Sequence, residues 1–211
     1  MWPALMPSPA ELIASFKRRG VRTVLNLHPA YGVQYFDRTY EELAAALGAD
    51  ARTQMPLVGD YANATWVAAF LNITLRPLEA LGVDAWWPDW QQNEWSSVMG
   101  ASPQLLQSYV YASNPFRYGA AAADHAGAGL ARSDRPFVLN RWGGWGHHRY
   151  PVGFSGDADT SWEMLKFQVY LTATAANVLW SWCEYFRGAS PLPPTSSALY
   201  PQHRRDRAVP L

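Results

Sequence analysis

The feature that most constrains the fold is a helical stretch that stops at a glycine and gives way to an apolar strand. Residues 8 to 19 have Leu12, Ile13 and Phe16 on one face, with Ser8 placed as N-cap, Pro9 in the first turn and Glu11 three residues after the cap. Gly20 ends that helix, and Val21 to Leu27 reads as a strand that turns at His28-Pro29. The unit returns as a helix from Ala64 to Leu81, Gly82, and a strand Val83-Asp84-Ala85-Trp86-Trp87 ending at Pro88-Asp89. A helix is also expected over 39 to 47, stopping at Gly48. Farther on the pattern predicts a helix from Pro103 to Tyr111, a strand from Arg135 to Asn140, and a short strand over 151 to 155. A helix from Ser161 to Leu171 and a last strand from Asn177 to Trp182 follow. Alternation of this kind means parallel strands joined by crossover helices.

Charge narrows the function. Seventeen basic and seventeen acidic residues cancel, which excludes an overall electrostatic grip on nucleic acid or anionic lipid as the main activity. No stretch approaches the ~20 apolar residues of a membrane span. The opening Met1-Trp2-Pro3-Ala4-Leu5-Met6-Pro7 has neither the basic region nor the apolar core of a signal peptide. The single cysteine, Cys183, excludes an internal disulfide framework and a cysteine-rich zinc module. Tryptophan is abundant instead: of 11, nine lie between Trp86 and Trp182. Indoles make good platforms for the apolar faces of sugar rings.

Three constellations could carry chemistry, and residues of interest fall just after strands, at His28, Asp89, Arg141 and Asp157. That is the rim where parallel sheets place their sites. In Trp86-Trp87-Pro88-Asp89-Trp90-Gln91-Gln92 a carboxylate is walled by indoles and followed by amides. Asp89 is either a nucleophile beside a bound sugar or a turn residue capping the next segment. In Gly153-Phe154-Ser155-Gly156-Asp157 a second carboxylate follows a short strand. Asp157 is either the partner of the first or the N-cap of the helix near Ser161. Two carboxylates on one rim are the minimum for cleaving a glycosidic bond. In Arg141-Trp142-Gly143-Gly144-Trp145-Gly146-His147-His148 the glycines permit a tight loop. The adjacent histidines have no third ligand at metal spacing, so no metal site is expected. The glycines do not match a dinucleotide fingerprint, nor is Ser155 in a nucleophile elbow.

At these residues the chain resembles glycoside hydrolase family 31, the alpha-glucosidase and alpha-xylosidase family. The matching segments are Val24 to Pro29, Arg76-Pro77-Leu78-Glu79 with Gly82-Val83-Asp84, Trp86 to Gln92, Arg141 to Trp145, and His148 to Asp157. The resemblance implies a retaining mechanism on a TIM (β/α)8 barrel. Asp89 then stands at the nucleophile after the fourth strand and Asp157 at the acid/base after the sixth. His28, Trp87, Trp90, Arg141 and Trp142 would contact the sugar. The implied partner is an alpha-linked oligosaccharide or glycoside, with no metal or organic cofactor. The family's first strand with its substrate-binding carboxylate, its N-terminal β-sandwich and its eighth strand have no counterpart in this text. The expectation is therefore an α/β chain forming an incomplete barrel, about strands two to seven, over residues 1–188. A Pro/Ser-rich, basic and disordered tail over 189–211 is expected to follow. The alternative to hydrolysis is a carbohydrate-binding remnant that keeps its indole platforms without turnover.

Overall fold

The computed structural model describes residues 8–89, 95–117, 137–141, 145–150, 152–177, 182–183 and 186–187. The tail expected over 189–211 lies outside them. Helix α1 spans Pro9–Arg18, with Pro at its first turn. Ser8 occupies the N-cap position and lends its carbonyl to Leu12 (3.1 Å), but its side chain makes no cap bond. The predicted N-cap position of Ser8 is thus observed, with the carbonyl and not the hydroxyl engaged. Strand β1 is Val24–Leu27, shorter than the expected 21–27. Val21 is used in closing the helix, its N–H donating to Phe16. The strand start is then fixed by Asp84, whose carboxylate accepts from the Thr23 N–H (2.8 Å) and from Arg22 Nη1 (2.9 Å).

Helix α2 (Tyr40–Leu47) ends as predicted at Gly48, which takes the left-handed conformation that only glycine adopts without strain. The long helix expected over 64 to 81 is continuous but not uniform. It runs as α3 (Ala64–Phe70), one π turn (Leu71–Leu75) and α4 (Arg76–Ala80). Pro77 has no N–H to return to Ile73, and the widened turn precedes it. Asn63 caps α3, its side-chain oxygen accepting from the N–H groups of Thr65 (2.9 Å) and Trp66 (3.1 Å).

Strand β2 (Ala85–Pro88) pairs with β1 in parallel, Leu25 opposite Trp86 and Asn26 opposite Trp87. Helix α5 spans Pro103–Arg117, longer than expected. Strand β3 (Leu139–Arg141) pairs in parallel with β4 (Val152–Phe154), and β4 with β6 (Trp182–Cys183). A parallel bridge from Trp86 to Val138 joins β2 to the β3 side. Among the described residues, five parallel strands thus follow one another, β1, β2, β3, β4 and β6, as many as the sequence pattern predicts and one fewer than the six, about two to seven, that the family resemblance implies. A second parallel pair, β5 (Ala158–Asp159) with β7 (Phe186–Arg187), was not predicted. Helix α6 (Trp162–Ala175) lies between β5 and β6 in the chain. No helix among the described residues is long and apolar enough to cross a membrane.

The core lies between the first two strands and the helices. Leu43, Leu71, Leu75, Tyr111 and Val138 are fully buried there, around Trp86, Trp66 and Phe70. Trp86 and Trp87 point to opposite sides of the strand, as neighbours must. Trp86 faces the helices, where its indole N–H donates to Glu79 Oε1 (2.8 Å). The Asn114 amide donates to the same oxygen (2.6 Å). Burial pushes the Glu79 carboxyl above its ordinary value, opposed by those donors and by Arg76.

Candidate active site

Trp87, on the other side of β2, sets its ring edge-on to Phe154 of β4, centroids 5.4 Å apart. Four strand ends converge beside this pair. Asp89 follows β2, and its backbone N–H donates to the Leu27 carbonyl (2.7 Å), which carries the ladder one residue past the strand. Its carboxylate reaches across the sheet on both sides. Oδ2 accepts from the Asn26 amide of β1 (2.9 Å) and lies 3.8 Å from His28 Nε2. Oδ1 lies 3.1 Å from Nη1 of Arg141, at the end of β3. The same Arg141 nitrogen lies 3.5 Å from Oδ2 of Asp157, in the turn after β4.

One guanidinium nitrogen therefore holds an oxygen of each carboxylate. The separation of those oxygens cannot exceed the two distances laid end to end. That ceiling sits above the ~5–5.5 Å of retaining glycosidases and at the lower edge of the ~6.5–9.5 Å of inverting ones. Arg141 is nearly buried, its side chain 6% exposed, and its guanidinium lies 5.9 Å from the centre of the Phe154 ring. Gly156 makes room for it. At φ +84° this residue holds a conformation that other residues rarely take, and a Cβ there would stand 2.5 Å from Arg141 Nε.

The structure brings together Asp89, Asp157, Arg141, Trp87 and His28 from the predicted set. Trp90 and Trp142 lie outside the described residues. The capping alternative for Asp157 is overturned: Ser161 caps α6, its Oγ accepting from the Met164 N–H (3.1 Å). His147 is buried with its ring against Tyr150, 6.0 Å between centroids, a packing role. Asn26 was not singled out from the sequence. Its signal was there, a lone amide between Leu25 and Leu27 in an apolar strand.

Fold and site together define an α/β barrel-like protein with a pair of carboxylates at the C-terminal ends of its strands. The family domain described as "Glycosyl hydrolases family 31 TIM-barrel domain" matches residues 2–182, and the chain belongs to that family. It is similar to the lysosomal alpha-glucosidase of Bos taurus, 32% identical over 74 residues, which are 35% of this chain and 8% of that protein. Its fold is similar to that of the cycloalternan-degrading enzyme from Trueperella pyogenes, solved in complex with cycloalternan. The TM-score is 0.56 at 18% identity, over 84% of this chain and 26% of that one. The chain thus spans about a quarter or less of the length of these relatives.

Proposed function

We propose that this chain carries the central catalytic strands of a retaining alpha-glycoside hydrolase, with Asp89 as nucleophile and Asp157 as general acid/base. The observation that carries the reading is the convergence of both carboxylates on Arg141 Nη1. In the first step an Asp89 oxygen bonds to the anomeric carbon while the bond to the leaving oxygen breaks. Asp157 gives that oxygen its proton. In the second step Asp157 takes a proton from water, which attacks the same carbon and releases Asp89. Two displacements at one carbon restore the configuration. Asn26 holds one Asp89 oxygen and Arg141 the other, so the attacking group is oriented before substrate arrives. Trp87, backed by the buried Phe154, gives the sugar an apolar wall.

If Asp89 follows the fourth strand of an eightfold barrel, β1 is the third, because it pairs directly with β2. The described strands are then three to seven, residues 1–188 form the barrel portion, and 189–211 form a tail. The substrate is an alpha-linked glycoside, and the bovine relative's name supports an alpha-glucoside.

Trapping with a fluorinated alpha-glucosyl fluoride, followed by intact mass and peptide mapping, tests this reading. One glycosyl group on Asp89, absent from Asp89→Asn, is the expected result. An adduct on another carboxylate, or hydrolysis that survives Asp89→Asn, overturns the assignment. Sugar binding without any adduct would favour the binding-remnant alternative.

A further inference from the structure

Three loops carry apolar side chains that neither the core nor the proposed chemistry uses. The first, residues 28–39, follows β1. Its Val33 exchanges both backbone hydrogen bonds with Leu57 of the second loop, residues 48–63, at 3.1 and 2.9 Å. Gly32 packs so closely on the backbone of Leu57 and Val58 that a Cβ would overlap it. The third, residues 95–102, is tied to the second by Asp60, whose carboxylate accepts from the Ser97 hydroxyl and N–H. From these adjoining loops Tyr35, Phe36, Met55, Val58, Trp95 and Met99 stand open to water, Phe36 at 70% and Met99 at 98%.

The backbone that displays them is pinned. Asp37 accepts from the Gln34 N–H (2.7 Å), and the Tyr40 hydroxyl donates to the Met55 carbonyl (2.7 Å). The Asp60 carboxylate also takes the Ala62 N–H (3.0 Å). A surface fixed in this way loses little freedom when it is covered. Single exposed apolar residues are ordinary, so area decides. Together these six leave on the order of 800 Å² open, each ring offering a good part of its ~150–250 Å². The largest patch of a typical monomer is ~300–600 Å². One side of a stable complex takes ~800 Å².

Shape and charge narrow the partner. The Tyr35 and Phe36 rings meet at 79°, which does not make the flat platform a sugar chain needs. The exposed charges of these loops are Asp37, Arg38, Asp50 and Arg52, two of each sign, in a chain that is neutral overall. Such a face favours neither an acidic nor a basic partner, and a second copy meets it without net repulsion. An apolar face with balanced charges suits the self-complementary contact of a two-fold dimer. Helix α6 offers no comparable face, because its exposed apolar residues are spread around it, Phe167 and Val169 standing about 160° apart.

We propose that these three loops form a homodimer interface, in which the partner covering Phe36, Met55 and Met99 is a second copy of this chain. The test is sedimentation velocity on the full chain from about 1 to 100 μM, the range in which an interface of this size dissociates. Phe36→Asp, Met99→Asp and, as control, Phe167→Asp are run beside the wild type, and each is checked for cooperative thermal unfolding. The expected result is a wild-type dimer that Phe36→Asp and Met99→Asp each weaken by about tenfold or more and that Phe167→Asp leaves unchanged. If Phe36→Asp fails to fold, Met99→Asp, at a side chain with nothing over it, carries the test. A wild type that stays monomeric throughout refutes the dimer and gives the face to a different partner. A dimer that only Phe167→Asp dissolves refutes it in favour of α6. A ladder of larger species refutes a closed two-fold contact.

Discussion

The helices packed on β1 and β2 and the helix after β5 both carry many large apolar side chains, yet they bury them to opposite degrees. In α2, α3 and the π turn, Leu43, Phe70, Leu71 and Leu75 are sealed against Trp86 and Tyr111. In α6 the buried residues are Gln168 and Ala175, while Trp162, Phe167, Val169 and Tyr170 are each more than half exposed. A helix apolar on all sides belongs in an interior. The contrast teaches that α6 has its own cap but, among the described residues, not the second layer its composition calls for. Composition alone does not bury a helix; a packed neighbour does.

The sharpest way to break this contrast is a pair of truncations read by urea unfolding. Leu75→Ala should cost about 2–5 kcal/mol, because it opens a cavity in a closed core. Phe167→Ala should change stability by no more than about 0.5 kcal/mol, as surface substitutions do. Equal losses would show that the α6 face is covered in solution. A smaller effect is expected from the helix caps. Asn63→Ala removes the acceptor for two N–H groups and should cost about 1 kcal/mol. Ser161→Ala should cost about 0.5 kcal/mol or less in global unfolding, because fraying of the lightly packed α6 is already cheap. Its loss should appear instead as faster amide exchange in the first turn of α6.

The subtlest effect is one of pH and belongs to the well-packed side alone. Burial raises the Glu79 carboxyl in the folded chain, so its ionisation opposes folding. Its contribution to stability is present in full below the unfolded value of about 4.3 and is lost as pH rises through the higher folded one. Glu79→Gln keeps an oxygen for both Trp86 and Asn114 but cannot ionise. The wild-type chain should therefore gain thermal stability relative to Glu79→Gln as pH falls from neutrality toward that unfolded value. A gap that does not vary with pH would show that Glu79 titrates alike in the folded and unfolded chains.

Much of the architecture was legible because glycine carries the signal by itself. Gly20, Gly48 and Gly82 all have positive φ where the helices stop. Strand starts were harder, since β1 begins where Asp84 grips Thr23, a contact 61 residues away in the chain. The π turn was hidden because the residues before Pro77 are ordinary helix formers. Helix α5 runs past Tyr111 through Asn114-Pro115, a pair that locally reads as a stop. In the site, the carboxylates and Arg141 could be found from motifs at strand ends. Asn26 showed only as a lone amide in an apolar strand, and its role was hidden because its partner Asp89 is brought to it by the parallel register of β1 and β2.

Gly156 has one more consequence, at the level of the gene. Every missense change in its codon adds at least a Cβ, and any Cβ falls on the guanidinium that ties Asp89 to Asp157. A saturation survey should therefore find this position as unforgiving as either carboxylate, although it has no functional group to lose. What heredity must preserve there is an empty space.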